Sequence, residues 1–150
     1  MILNLSEYGK FTVVSAFKTP TGMDPSAAMN ELRTAISGVE IQFFDGAHIA
    51  GKEHLEIAII NALHAFKIGT NISRSLAMET LLYTSAQRQI DVAISSFGVT
   101  RASRIVGLVA FSESRNGAEM LEHKIAEFLK TEVNDGLLNQ WSPEKTSTIN

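Results

Sequence analysis

Short β-branched or aromatic runs alternate along the chain with longer stretches whose apolar residues recur at helical spacing. Residues 11–17 (FTVVSAF) have the composition of a strand. Thr19-Pro20-Thr21-Gly22 has turn chemistry, and Asp24-Pro25 reads as an N-cap followed by proline in the first helical position. That helix is predicted to run to about Ile36 and to stop near Ser37-Gly38. Residues 39–44 (VEIQFF) form a second strand closed by Asp45-Gly46, and a long helix over about 52–67 ends before Gly69. Two further helices fill 75–97, with a break around Thr84-Ser85 and a stop at Gly98. Residues 105–111 (IVGLVAF) are almost continuously apolar, which predicts a central strand covered on both faces. A helix over about 116–130, an edge strand near 132–138 and a short helical start at Ser142-Pro143-Glu144 complete the pattern. The predicted fold class is α+β: one domain over 1–150, with a mixed, mostly antiparallel sheet of about four strands packed with helices, and flexible ends at 1–10 and 140–150.

The sequence has 150 residues, 45% apolar and 19% charged, which places it among globular chains able to bury a core. It has no cysteine, so disulfides, thiolate metal sites and cysteine nucleophiles are excluded. That composition suits a reducing interior. Residues 1–10 contain Glu7 and no apolar run, so no signal peptide is read, and no apolar stretch is long enough for a membrane span. A cytoplasmic protein is expected. The net charge of −3 argues against nucleic-acid binding through a broad basic face but leaves room for a small basic site.

The long helix carries more apolar positions than one face needs. Leu55, Ile59, Ala62, Leu63 and Phe66 make one stripe, while Ile57 and Ile60 lie with His64 on the far side. Between them runs a line of small or polar residues, His54, Ala58, Asn61 and Ala65, which permits close approach of another element. A helix apolar on more than one face is either central in its own fold or covered by a partner. His48, His54, His64 and His123 show neither an i, i+4 pair nor a carboxylate triad at metal spacing. They read as ordinary core or surface histidines, and no metal is expected.

The second informative stretch is residues 85–90 (SAQRQI). Ser85 is a good N-cap residue, and Ile90, Ala93, Ile94 and Phe97 follow at helical spacing. This predicts Gln87, Arg88 and Gln89 in the first turn of a helix, where the dipole disfavours a cation. Free backbone N–H groups with an arginine fork would bind an anion such as phosphate, and the glutamine amides could read a base edge or a sugar. The plainer reading pairs Arg88 with Glu79, which sits in an otherwise apolar helix.

The run from Ile41 to Thr100, and within it residues 54–100 above all, resembles the small kinase-binding subunit of the KEOPS (EKC) complex, the TPRKB-like family, in its archaeal form. The resemblance rests on the order of several elements: an apolar helix ending at Lys67-Ile68-Gly69, a Ser75-Leu76-x-x-Glu79 helix, the Gln87-Arg88-Gln89-Ile90 turn and the Phe97-Gly98-Val99 stop. It covers about sixty residues well, and the flanking strands fit in outline. It implies a non-catalytic subunit, without cofactor, of an assembly that installs threonylcarbamoyl groups on an adenosine next to the tRNA anticodon. The implied partners are the kinase-ATPase subunit of that complex, on whose small lobe it docks, the CCA 3′ end of tRNA, and the other subunits indirectly. By this resemblance Arg88, Gln87 and Gln89 carry the RNA site, with Arg74 and Lys67 as neighbouring cations. The expected kinase-docking residues are Ile57, Ile60, His64 and Trp141. Family members end in a longer amphipathic helix than the one that starts here at Ser142.

Two rival readings stand beside this one. The sequence has no glycine-rich phosphate loop, dinucleotide fingerprint or nucleophile elbow, yet dispersed catalytic groups converge only in space. A small-molecule enzyme or binding protein would use a pocket near His54, Asn61 and Arg88. A purely structural adaptor would use Arg88 only to neutralise Glu79.

Overall fold

The computed structural model describes residues 1–139. Its four strands are β1 (Ile2–Leu5), β2 (Lys10–Lys18), β3 (Ile41–Asp45) and β4 (Ile105–Ser112), in the spatial order β1-β2-β4-β3, and every neighbouring pair is antiparallel. β2 and β3 therefore run parallel to each other with β4 inserted between them, a split β-α-β arrangement closed by helix α1 (Pro25–Ala35). Helices α2 (Lys52–Ile68), α3 (Leu76–Ser85), α4 (Ile90–Phe97) and α5 (Arg115–Leu129) follow the same chain order that the periodicity predicts. The α+β expectation holds.

β4 is the central strand because its side chains serve both faces. Val109 and Phe111 enter one core with Leu55, Ile59, Leu81 and Leu82 from the α2–α3 side. Val106, Leu108 and Ala110 enter the other with Leu32 of α1 and Leu121 and Ile125 of α5. This alternation follows directly from the two-residue period of a strand. The local signals at α1 act as predicted: Pro25 occupies the first turn, and the Asp24 carboxylate accepts the Ser26 N–H at 3.1 Å. Arg33, near the end of α1, donates to the Ile41 carbonyl and to the Gln42 side chain, both at 2.9 Å, and so ties the helix to β3. Burial lowers its pKa, partly offset by the nearby Glu40.

The fourth strand is not where the sequence pattern puts it. No edge strand forms over 132–138. The Asn134 side chain accepts the Gly136 N–H at 2.9 Å, an Asx turn, and the chain continues as a 3-10 turn over Asp135–Asn139. One backbone bond, from the Asn134 N–H to the Ala16 carbonyl, covers β2 beyond the reach of β1. Leu138 is fully buried over Gly107 of β4, where a Cβ would stand only 3.2 Å from its methyl. The sheet's edge is instead β1, a four-residue strand at the N-terminus. The helical start at Ser142 lies outside the described residues.

The 69–75 loop joining α2 to α3 is held by a single buried carboxylate. Glu79, 1% exposed, accepts the Ile72 and Ser73 N–H groups and the Ser73 hydroxyl, at 2.8 to 3.1 Å. Ser75 caps α3 by accepting the Met78 N–H. Glu79→Gln should lower stability by about 2 kcal/mol and Glu79→Ala by more, since each removes charge-assisted acceptors from buried donors; urea unfolding measures both, and an unchanged midpoint contradicts this role. Leu138→Ala should cost about 3 kcal/mol through the cavity it leaves over Gly107, by the same measurement, and a cost under about 1 kcal/mol would show that the 135–139 turn is not part of the core.

Candidate functional site

The apolar stripe of α2 faces inward as its spacing requires. Leu55, Ile59, Ala62 and Leu63 are buried, and Phe66 packs against the same core. His54, Ala58 and Ala65 form a second line on the flank towards α3. His54 accepts the Ala50 N–H at Nδ1, and its Nε2 lies 2.8 Å from the Thr84 carbonyl of α3, a pair of contacts that the Nε2–H tautomer satisfies. With the flanks taken, the remaining apolar residues of α2 are exposed: Ile57 at 61% and Ile60 at 40%.

These two isoleucines belong to a wider surface. Of the nine exposed large apolar residues described, seven lie on the α2–α4 layer or its connecting loop: Ile57, Ile60, Ile68, Ile72, Tyr83, Ile90 and Ile94. The other two, Met120 and Phe128, are on α5 across the sheet. α4 has little apolar cover of its own. In the sequence IDVAISSF only Ala93 is buried. His64 is exposed but meets the edge of the Tyr8 ring at 6.4 Å, and the Lys67 ammonium lies 5.5 Å over the same ring. Trp141, the fourth expected docking residue, lies outside the described residues.

The stretch around Arg88 is built differently from the sequence expectation. Ser85 does not cap a helix. It is the last residue of α3, and its hydroxyl bends back to the Leu81 carbonyl at 2.9 Å. Ala86 then adopts the left-handed conformation, φ 55°, and the Gln87 N–H closes on the Leu82 carbonyl at 3.0 Å. Gln89 is the N-cap of α4 and makes no side-chain capping bond. Gln87 and Arg88 thus stand in the linker just before α4, not in its first turn, which holds Asp91 instead. Gln87, Arg88 and Gln89 are all exposed, and Arg88 has no hydrogen bond or ion pair among the described residues.

The expected pairing of Arg88 with Glu79 does not form. Eight residues of α3 and linker separate them, and Glu79 is occupied by the 69–75 loop at the opposite end of the helix. The same geometry divides the predicted cations. Lys67 precedes that loop and Arg74 lies in it, while Arg88 lies beyond the other end of α3, a ten-residue helix about 15 Å long. They are not neighbours of Arg88. Nor does a shared pocket unite His54, Asn61 and Arg88. His54 is committed to Ala50 and Thr84, and Asn61 is exposed on the outer face of α2.

Two features were not singled out from the sequence. The exposure of Ile90 and Ile94 was masked because their helical spacing reads equally well as a core stripe. A cleft of about 520 Å³ carrying Lys18, Arg101 and Arg104 comes from two turns distant in the chain. Among the described residues no group of three or more His, Asp or Glu could hold a metal ion, and no helix is long and apolar enough to cross a membrane.

Residues 25–145 match the sequence model of the family described as kinase binding protein CGI-121. No curated protein matches the chain. The matched span starts at the first residue of α1 and includes α2–α4 and β4, the elements that build the core and the exposed apolar face. A family that binds kinases needs an outward protein-binding surface on a stable core, and the isoleucines of α2 and α4 provide a surface of that chemistry. By that match over most of its length, the chain belongs to the CGI-121 family of kinase binding proteins.

Proposed function

We propose that the chain is a non-catalytic subunit of a KEOPS-type tRNA-modifying assembly, that its α2–α4 face docks on the small lobe of the kinase-ATPase subunit, and that Gln87, Arg88 and Gln89 capture the CCA end of tRNA. The observation that carries the docking half is the concentration of exposed apolar residues on one helical layer. Burial of such residues in a partner, ringed by polar groups, is the usual anatomy of a protein interface. Ile57 and Ile60 supply the α2 part of that face, with His64 at its margin beside Tyr8, and Ile90 and Ile94 extend it along α4.

The RNA half rests on three polar side chains without structural duties. Arg88 offers five N–H donors and a delocalised charge to phosphate, and the two amides offer donors and acceptors to base edges. An unpaired RNA end exposes those groups. Lys67 and Arg74, at the far end of α3, would contact the acceptor arm rather than the same nucleotides. A second reading is favoured by one observation: Arg88 stands two residues from exposed Ile90, where it would be a rim cation of the docking face and bind no RNA.

Ile57→Asp and Ile94→Asp each alter an exposed side chain and should leave folding intact. Each should weaken binding of the purified kinase-ATPase subunit at least tenfold, about 1.4 kcal/mol or more, in a calorimetric titration. Unchanged affinity in both would remove α2–α4 as the docking face. Intact tRNA should bind, tRNA with a trimmed CCA end should not, and Arg88→Glu should lose about tenfold or more for intact tRNA. If tRNA binds neither way, or equally with and without its end, Arg88 is a rim residue and the chain a docking adaptor only.

A further inference from the structure

β2 and β4 leave the sheet side by side at one end, and the chain turns there twice. Lys18, the last residue of β2, is the register partner of Ile105, the first of β4. The two turns are bonded to each other. The Thr19 N–H donates to the Arg104 carbonyl at 2.8 Å, and the Thr19 hydroxyl donates to the Ser103 carbonyl at 2.6 Å. Ser103 is itself buried, and its hydroxyl accepts the Thr100 N–H at 3.0 Å. The walls of the cleft between these turns are therefore set by backbone and hydroxyl hydrogen bonds.

What lines the cleft is one sign of charge. Lys18, Arg101 and Arg104 all border it, and no carboxylate does. Lys18, at the end of β2, and Arg104, in the turn just before β4, are both exposed and form no ion pair among the described residues, although Lys18 also borders a smaller cavity that includes Glu132. Arg101 is oriented from outside the cleft by Asp24, 3.5 Å from its guanidinium. Like charges gathered around one cleft repel, at some cost to the fold. In a chain of net charge −3 such a concentration is a local reversal of the overall field.

We propose that this cleft binds phosphate groups of a polyanion, with Lys18 and Arg104 as direct contacts and Arg101 closing over them. The site is separate from Gln87, Arg88 and Gln89 and does not depend on the RNA-end reading. Those residues precede α4, whereas Arg101 follows it by four positions, and none of the three lines the cleft. RNA backbone and free pyrophosphate-bearing molecules share this chemistry, and the test separates them.

Lys18→Gln/Arg104→Gln is compared with Lys124→Gln/Lys130→Gln, which removes two exposed cations of the α5 region. The probes are a short single-stranded RNA without a terminal CCA, and sodium pyrophosphate, each titrated over a range of salt. The cleft variant should lose about tenfold or more in RNA affinity. Its plot of log affinity against log salt should flatten by about 1.4, the loss of two single-strand phosphate contacts, while the α5 variant is unchanged. If pyrophosphate alone binds the unaltered protein and the cleft variant loses it, the site stands and its ligand is a free phosphate compound. Equal losses in both variants, or no binding of either probe to the unaltered protein, overturn the proposal. Arg88→Glu tested on CCA-bearing tRNA reports on the other site, so either can fail while the other stands.

Discussion

The structure depends on β4 being buried on both faces at once. Five residues of this strand are divided between two cores, Val109 and Phe111 on one and Val106, Leu108 and Ala110 on the other. A strand loaded in this way needs a helical layer on each side, because a solvated face would expose the apolar side chains it carries. α1 and α5 supply one layer, and α2 and α3, with Leu138 over Gly107, supply the other. Gly107 matters because its missing side chain gives Leu138 room to approach the strand.

The second layer covers the sheet and still has apolar surface left over. α2 spends its inner stripe on the core and its His54–Ala58–Ala65 flank on α3, which leaves Ile57 and Ile60 in solvent. α4 buries only Ala93, so its isoleucines add to the same surface. Of the two explanations for a helix apolar on several faces, burial in its own fold accounts for the inner side of α2, and the outer side stays exposed. Membership of a kinase-binding family is what makes that outward side the proposed docking face.

Elements with a strong local cause were legible in the sequence. Asp24-Pro25 starts α1, the run 105–111 is the central strand, and Gly69, with φ 76°, ends α2. Where two local signals competed, the reading failed. Ser85 has the chemistry of an N-cap, yet its hydroxyl serves the preceding turn, and the α3 terminus is made by an alanine in the left-handed region, a conformation that no glycine announces. Val133 and its neighbours read as a strand, but Asn134-Asp135-Gly136 is a turn sequence and prevails. β1, with four residues, is too short to show a period. Of the candidate site, exposure of Ile57, Ile60 and Arg88 could be anticipated, whereas the separation of Lys67 and Arg74 from Arg88 follows from the antiparallel return of α3 along α2. The cleft at Lys18, Arg101 and Arg104 comes from register between strands nearly ninety residues apart in the chain, which no local pattern encodes.

The most direct test of the central claim, that the α2–α4 layer is the docking face, is amide hydrogen exchange of the full chain with and without the kinase-ATPase subunit. Binding should slow exchange in α4 and the outer turns of α2 while leaving α5 and the 19–24 turn unaffected. Protection confined to α5, or absent from α2 and α4 in a complex shown to form, would place the interface elsewhere and contradict the account.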